Sequence, residues 1–176
     1  GPYGEEAPTA PLNVYGRHKL EAEQAVLAAG GLAVRITNVY GTEARNKNFV
    51  MRLASQLRAG QQLALRLPHD QLATPANAAS IARALALLVA DGQNGLWHLA
   101  STDLMSRVQL ARRVAAYFPQ GQLALEALPT AALGQPAARP LRGGLVAAKF
   151  LAAYPDFDFG NVDDFLRQIS QHWPSE

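Results

Sequence analysis

Helical and extended patterns take turns along the chain. Val14 to Ala29 contains the good helix formers Leu20, Glu21, Ala22, Glu23, Gln24 and Ala25. Asn13 is placed to cap this helix and Gly30-Gly31 to stop it. The short apolar run Leu32 to Thr37 then predicts a strand. Asn48 caps a second expected helix that reaches Ala59 and stops at Gly60, followed by an extended segment from Gln62 to Leu67. A third helix is expected from about Ala76 to Ala90, a strand from Gly95 to Ala100, and a fourth helix capped by Ser106 and running to Phe118. Leu123 to Leu128 reads as extended, and Pro129 to Gly144 as a loop rich in Pro, Ala and Gly. Short helices near Val146–Ala153 and Val162–His172 close the chain.

Such alternation predicts an α/β protein with a largely parallel sheet. No internal repeat is visible, and the Pro129–Gly144 stretch is too short to separate domains, so residues 1–176 read as one folding unit. The length of 176 residues permits that.

Composition narrows the classes. With 49% apolar and 17% charged residues the chain can bury a core. It has no Cys, which excludes a disulfide scaffold, a Cys zinc site, an iron–sulfur cluster and a thiol nucleophile. A net charge of +2 without a basic run points away from nucleic acid, whatever the pI of 9.2 suggests. Gly1 to Glu6 lacks the basic and apolar regions of a signal peptide. The apolar stretch Ile81 to Ala90 is broken by Arg83 and falls short of the roughly 20 residues a membrane span needs. A cytoplasmic location is expected. The His residues at 18, 69, 98 and 172 have no metal-ligand spacing, so no metal is expected. His98, between Trp97 and Leu99, reads as a structural imidazole.

Chemistry enters with Tyr15 and Lys19. At a spacing of four they share one face of a helix. An ammonium beside a phenol favours the phenolate, which suits a Tyr that exchanges a proton with a carbonyl or alcohol.

The run Pro11-Leu12-Asn13-Val14-Tyr15-Gly16-Arg17-His18-Lys19-Leu20-Glu21-Ala22-Glu23 resembles the Tyr-x-x-x-Lys helix of the extended short-chain dehydrogenase/reductases. More narrowly, it resembles the dTDP-4-dehydrorhamnose reductase branch. Arg35-Ile36-Thr37-Asn38-Val39-Tyr40-Gly41 matches the strand that follows in that family. Asn48-Phe49-Val50, Asp70-Gln71 with Pro75, Gly95-Leu96-Trp97-His98 and Arg139-Pro140 stand in the family's order, so the resemblance covers essentially the whole chain.

The resemblance implies a Rossmann-like fold and hydride exchange between NADP or NAD and a keto group on a nucleotide-linked sugar. Tyr15 would be the acid/base, and Lys19 would hold the cofactor's ribose. Ile36 and Val39 would back the nicotinamide; Asn38, Gln71 and Arg139 would contact the substrate. A guanidinium suits a diphosphate because its fork makes parallel charge-assisted bonds. A homodimer is allowed, with neither nucleic acid nor membrane as partner.

Departures from the family pattern bear on specificity. Asn38 stands where reductases often carry Trp and is more usual in epimerases and dehydratases. His18 replaces a common Ser, the Asp-Gln-x-Gly-x-Pro-Thr motif reads Asp70-Gln71-Leu72-Ala73-Thr74-Pro75-Ala76, and the late Leu-Asp-x-x-Lys has Val146 for Asp. No G-x-G-x-x-G turn for a dinucleotide pyrophosphate occurs in the sequence. The chain therefore reads as the catalytic-helix and substrate portion of a longer protein, inactive alone. An epimerase or dehydratase, or a non-catalytic NADP-binding regulatory protein on this fold, are the competing expectations.

Overall fold

The computed structural model describes residues 1–43, 45 and 47–174. The elements are α1 (Val14–Ala28), β1 (Leu32–Arg35), β2 (Val39–Tyr40), α2 (Phe49–Arg58), β3 (Gln62–Pro68), β4 (Leu72–Ala73) and β5 (Ala76–Asn77). There follow α3 (Ala78–Ala90), β6 (Gly95–His98), β7 (Met105–Ser106), α4 (Arg107–Tyr117), β8 (Gln122–Leu128), a 3₁₀ turn (Thr130–Leu133), α5 (Ala148–Ala153) and α6 (Val162–Gln171). The architecture is α/β. β1 pairs with β6, β2 with β5 and β3 with β8, all parallel, and β4 with β7 antiparallel. Among the described residues no strand pairs with its neighbour in sequence, so every pairing spans a long connection.

Local chemistry sets the helix starts. The side-chain oxygens of Asn13, Asn48, Asn77 and Asn161 accept from backbone amides one turn on, and Ser106 with Gln109 forms a full capping box. Asp163 and Asp164 sit in the first turn of α6, where the helix dipole favours them. The third helix starts at Ala78 rather than the expected Ala76, because Ala76 pairs with Val39 and Asn77 becomes the cap. The expected strands 32–37 and 95–100 end earlier, at Arg35 and His98, where the parallel ladder ends. The four two-residue strands were not expected at all; each exists through a partner distant in sequence.

Two apolar cores result. The larger joins α2, α4 and α6 to one face of the β3–β8 pair, with Met51, Leu57, Val114, Phe118 and Leu166 buried. Along β3 and β8, Leu63, Leu65, Leu67, Leu123 and Leu125 face inward while Arg66 and Glu126 pair outside at 3.0 Å. Alternation of this kind is what a strand with one buried face requires. Gly121 lies so close to the Leu57 backbone that a Cβ there would come within 2.7 Å of it. The second core packs Ala84 and Leu88 of α3 with Trp97, Leu99, Phe150 and Phe159.

α1 differs from the other long helices in having no buried residue. It is fastened to β1 by polar contacts. Arg35 donates to both carboxylate oxygens of Glu23 at 2.6 Å. No helix among the described residues is long and apolar enough to cross a membrane.

Candidate functional site

Glu23 and Arg35 set the register of α1 against β1. The turn at Gly30-Gly31 reverses the chain, so α1 runs antiparallel to β1 and its first turn projects beyond the strand's C-terminal end. Tyr15 lies eight residues before Glu23, or about 12 Å along the helix axis. That places it at the end from which Ile36 to Asn38 leave the strand. Ligands of open parallel sheets bind outside the carboxyl ends of their strands.

Tyr15 is 70% exposed. The Lys19 ammonium stands 5.5 Å from its ring centroid, as one helical turn allows. Ile36 and Val39 are 45% and 37% exposed, an apolar surface left open among the described residues. The backbone carbonyl of Asn38, between them, accepts from the Ala76 amide at 3.0 Å. Its side-chain oxygen accepts from Arg107 at 3.3 Å, which turns the amide NH₂ the other way.

Arg107 was not among the expected site residues. Its guanidinium lies 5.0 Å from the Phe49 ring centroid. Burial lowers its pKa from the ordinary arginine value, and the charges of Arg52 and Arg139 lower it further. Among the described residues, none of these three arginines has a carboxylate at ion-pair distance. A cluster of like charges beside a half-buried guanidinium is costly, and an anion would relieve it. The sequence signal was slight: Arg52 and Arg107 lie on different helices, and neither belongs to a motif.

Arg139 is exposed on the Pro129–Gly144 loop. The loop is fastened at its start by Asp70, whose carboxylate accepts from the Thr130 amide at 3.0 Å and from its hydroxyl at 2.6 Å. The Thr130 hydroxyl holds the Asp70 pKa below its usual value. Gln71 donates to the Gln135 side chain at 3.0 Å, so its amide serves the same loop. At the other end Leu72 donates to the Leu141 carbonyl at 2.7 Å. The Asn13 NH₂ meets the Ala138 carbonyl at 2.9 Å.

Behind the site, His98 is fully buried. The guanidinium of Arg35 can only donate, so His98 Nε2, at 3.5 Å, accepts and Nδ1 donates to the Tyr3 carbonyl at 3.2 Å. Burial lowers the His98 pKa; Glu5 opposes this and Arg35 adds to it. Its ring is a structural bridge between β1 and the N-terminal segment. Lys149, of the late Lys position, stands 4.1 Å from the Trp97 ring centroid and donates to the Leu96 carbonyl at 2.7 Å.

The chain matches the RmlD substrate binding domain over residues 1–158. A dTDP-4-dehydrorhamnose reductase of Burkholderia thailandensis is 33% identical, the match covering 95% of this chain and 63% of the relative. A probable low-salt glycan biosynthesis reductase of Haloferax volcanii is 31% identical, covering 82% of this chain and 49% of the relative. The crystal structure of a Bacillus anthracis dTDP-4-dehydrorhamnose reductase in complex with NADP superposes with a TM-score of 0.80 at 22% identity, covering 94% of this chain and 58% of that one. The Yersinia enterocolitica dTDP-4-dehydrorhamnose reductase gives a TM-score of 0.83 at 21% identity, covering 96% of this chain and 60% of that one. The chain thus spans about half to two-thirds of the length of these proteins. Parallel strand pairs, crossover helices and the match over most of its length lead to one family: this chain belongs to the RmlD substrate-binding-domain family, with the Rossmann-like fold of the dTDP-4-dehydrorhamnose reductases.

Proposed function

We propose that this chain carries the proton-transfer and substrate-binding portion of an NAD(P)-dependent reductase acting on a keto group of a nucleotide-linked sugar. The observation that carries the reading is the Tyr15–Lys19 pair, with Lys19 at 5.5 Å from the Tyr15 ring and Tyr15 exposed beyond the C-terminal end of β1. Relatives named as dTDP-4-dehydrorhamnose reductases support the substrate class.

The residues present fit the nicotinamide end of such a cofactor. Ile36 and Val39 offer uncovered apolar surface for a flat ring, and exposed Lys19 offers donors for ribose hydroxyls. When bound, NADP or NAD supplies or takes the hydride. Tyr15 gives its phenolic proton to the substrate's carbonyl oxygen as that oxygen gains negative charge. Arg139, with Arg107 and Arg52, holds the diphosphate, and the Asn38 NH₂ faces an acceptor on the substrate. Gln71 acts by fastening the loop that carries Arg139.

The test uses the full-length protein with NADPH and a nucleoside-diphosphate 4-keto-6-deoxy sugar. Tyr15→Phe lowers kcat by about 10²- to 10⁴-fold, the usual worth of a positioned proton donor. NADPH binding, followed by its fluorescence, stays within a few-fold of wild type. Turnover by Tyr15→Phe at the wild-type rate overturns the assignment.

A further inference from the structure

We infer that Asn13 is a positioning residue that suspends the Arg139 segment from the first turn of α1, holding Tyr15 and Arg139 in one frame. The inference rests on the substrate role proposed for Arg139. Both polar atoms of the Asn13 side chain are engaged. Its oxygen accepts from the Gly16 amide at 2.8 Å and its nitrogen donates to the Ala138 carbonyl at 2.9 Å, across 125 positions of sequence. Together these bonds fix the orientation of the amide plane.

The segment has little else to hold it. Between the Gln135 side chain and the Leu141 carbonyl, the Asn13 contact is the one hydrogen bond to residues 136–140 among the described residues. Pro136 and Pro140 have no N–H to offer, and Ala138, Arg139 and Pro140 are exposed. Without Asn13 the position of Arg139 would depend on anchors at Gln135 and Leu141 alone.

Residue type separates this role from ordinary capping. Asp, Ser and Thr cap helices about as well as Asn. Among these four, Asn alone joins a capping oxygen to a separate NH₂ donor. A cap would be served by any of them; a bridge to a carbonyl needs the amide. The bridge puts the proton donor, two residues after Asn13, and the anion-binding arginine, one residue after Ala138, on either side of a single side chain.

Asn13→Asp tests this, because it keeps the capping oxygen and removes the donor. In the full-length protein, ¹⁵N relaxation order parameters at Ala138 and Arg139 fall from the rigid range near 0.85 to below about 0.6. Those of α1 stay unchanged. Asn13→Ser, which caps but cannot reach Ala138, gives the same result. In the full-length enzyme both variants raise KM for the nucleotide sugar about fivefold, the factor carried by one hydrogen bond of ordinary net strength. Their kcat stays within twofold.

Unchanged order at Ala138 and Arg139 overturns the inference, as does a parallel loss of order in α1, which would make Asn13 a cap only. An effect in Asn13→Asp that is absent from Asn13→Ser also overturns it, since it would stem from the new carboxylate facing a carbonyl. The relaxation arm decides the bridge even if the proposed reaction fails. A loosened segment with unchanged KM would remove its role in substrate binding.

Discussion

Glu23→Gln should detach α1 while leaving the rest of the fold in place. α1 buries no residue, and a helix of 15 residues is marginal by itself in water. Its docking therefore leans on Arg35, which donates to both oxygens of Glu23 at 2.6 Å, with only 23% of the Arg35 and 14% of the Glu23 side chain exposed. The Glu23 carboxylate also raises the Arg35 pKa, so the cation persists throughout any usable pH range. Glutamine keeps one acceptor but turns an NH₂ toward the donor fork, losing one charge-assisted bond and weakening the other. Such a bond contributes about 1.5–3 kcal/mol net. We expect a loss of about 2–3 kcal/mol from the docking of α1, equivalent to roughly a 30- to 150-fold rise in its opening constant. Native-state hydrogen exchange reads this directly. The amides of Leu20 to Ala28 should exchange faster by that factor, while those of α2 and α4 keep their rates. Exchange in α1 within threefold of wild type would refute the reasoning. An equal acceleration of α1, α2 and α4 would show that α1 melts with the cores and that the ion pair is part of the global fold.

Four further outcomes follow from burial and packing. The Tyr40 hydroxyl is buried with no hydrogen-bond partner among the described residues, while its ring packs on Phe165 at 5.2 Å. Tyr40→Phe should stabilise the chain by about 1–3 kcal/mol, read as a rise of several degrees in Tm; a fall would contradict it. Burial holds the His98 pKa below its ordinary value of about 6.5, so the unfolded chain takes up its proton first. Stability should therefore decline as pH falls below about 6.5, and the decline should flatten in His98→Gln, as measured by urea titrations across that range. Gly121→Ala should cost about 1–3 kcal/mol, because its Cβ would press on the backbone of Leu57 and Gln61. Gly4→Ala, with nothing within 4 Å, should melt at the wild-type temperature.

What could be read from the residues follows the range of the forces involved. Helix starts at Val14, Phe49 and Arg107 were legible because Asn13, Asn48 and Ser106 act within one turn of themselves. The pairing of Val39 with Ala76, or of Leu72 with Ser106, was not, since a two-residue strand has no periodicity of its own. Tyr15 and Lys19 declare themselves because one turn of helix brings them together. Arg52 and Arg107 do not, because only the packing of α2 against α4 brings their charges toward Arg139. The two faces of the Asn13 amide show the same divide: the cap was visible in sequence, and the bond to Ala138 was not.

The pairing scheme also governs how the chain acquires its shape. β3 and β8 match residue for residue from Gln62↔Gln122 to Pro68↔Leu128, and β1 meets β6 from Leu32↔Gly95. About sixty residues separate the partners in both cases. At synthesis rates of about 5–20 residues per second, β1 and β3 wait several seconds for partners not yet made. No local hairpin can seed the sheet, so loop-closure entropy falls on every strand pair before any contact offsets it. The early order available is helical. α2 is capped and strongly amphipathic, and it can shelter the inner face of β3 before α4 and β8 are made. Formation of these strand pairs is thus expected to be slow and helix-led, with β3 as a stretch open to chaperones during translation.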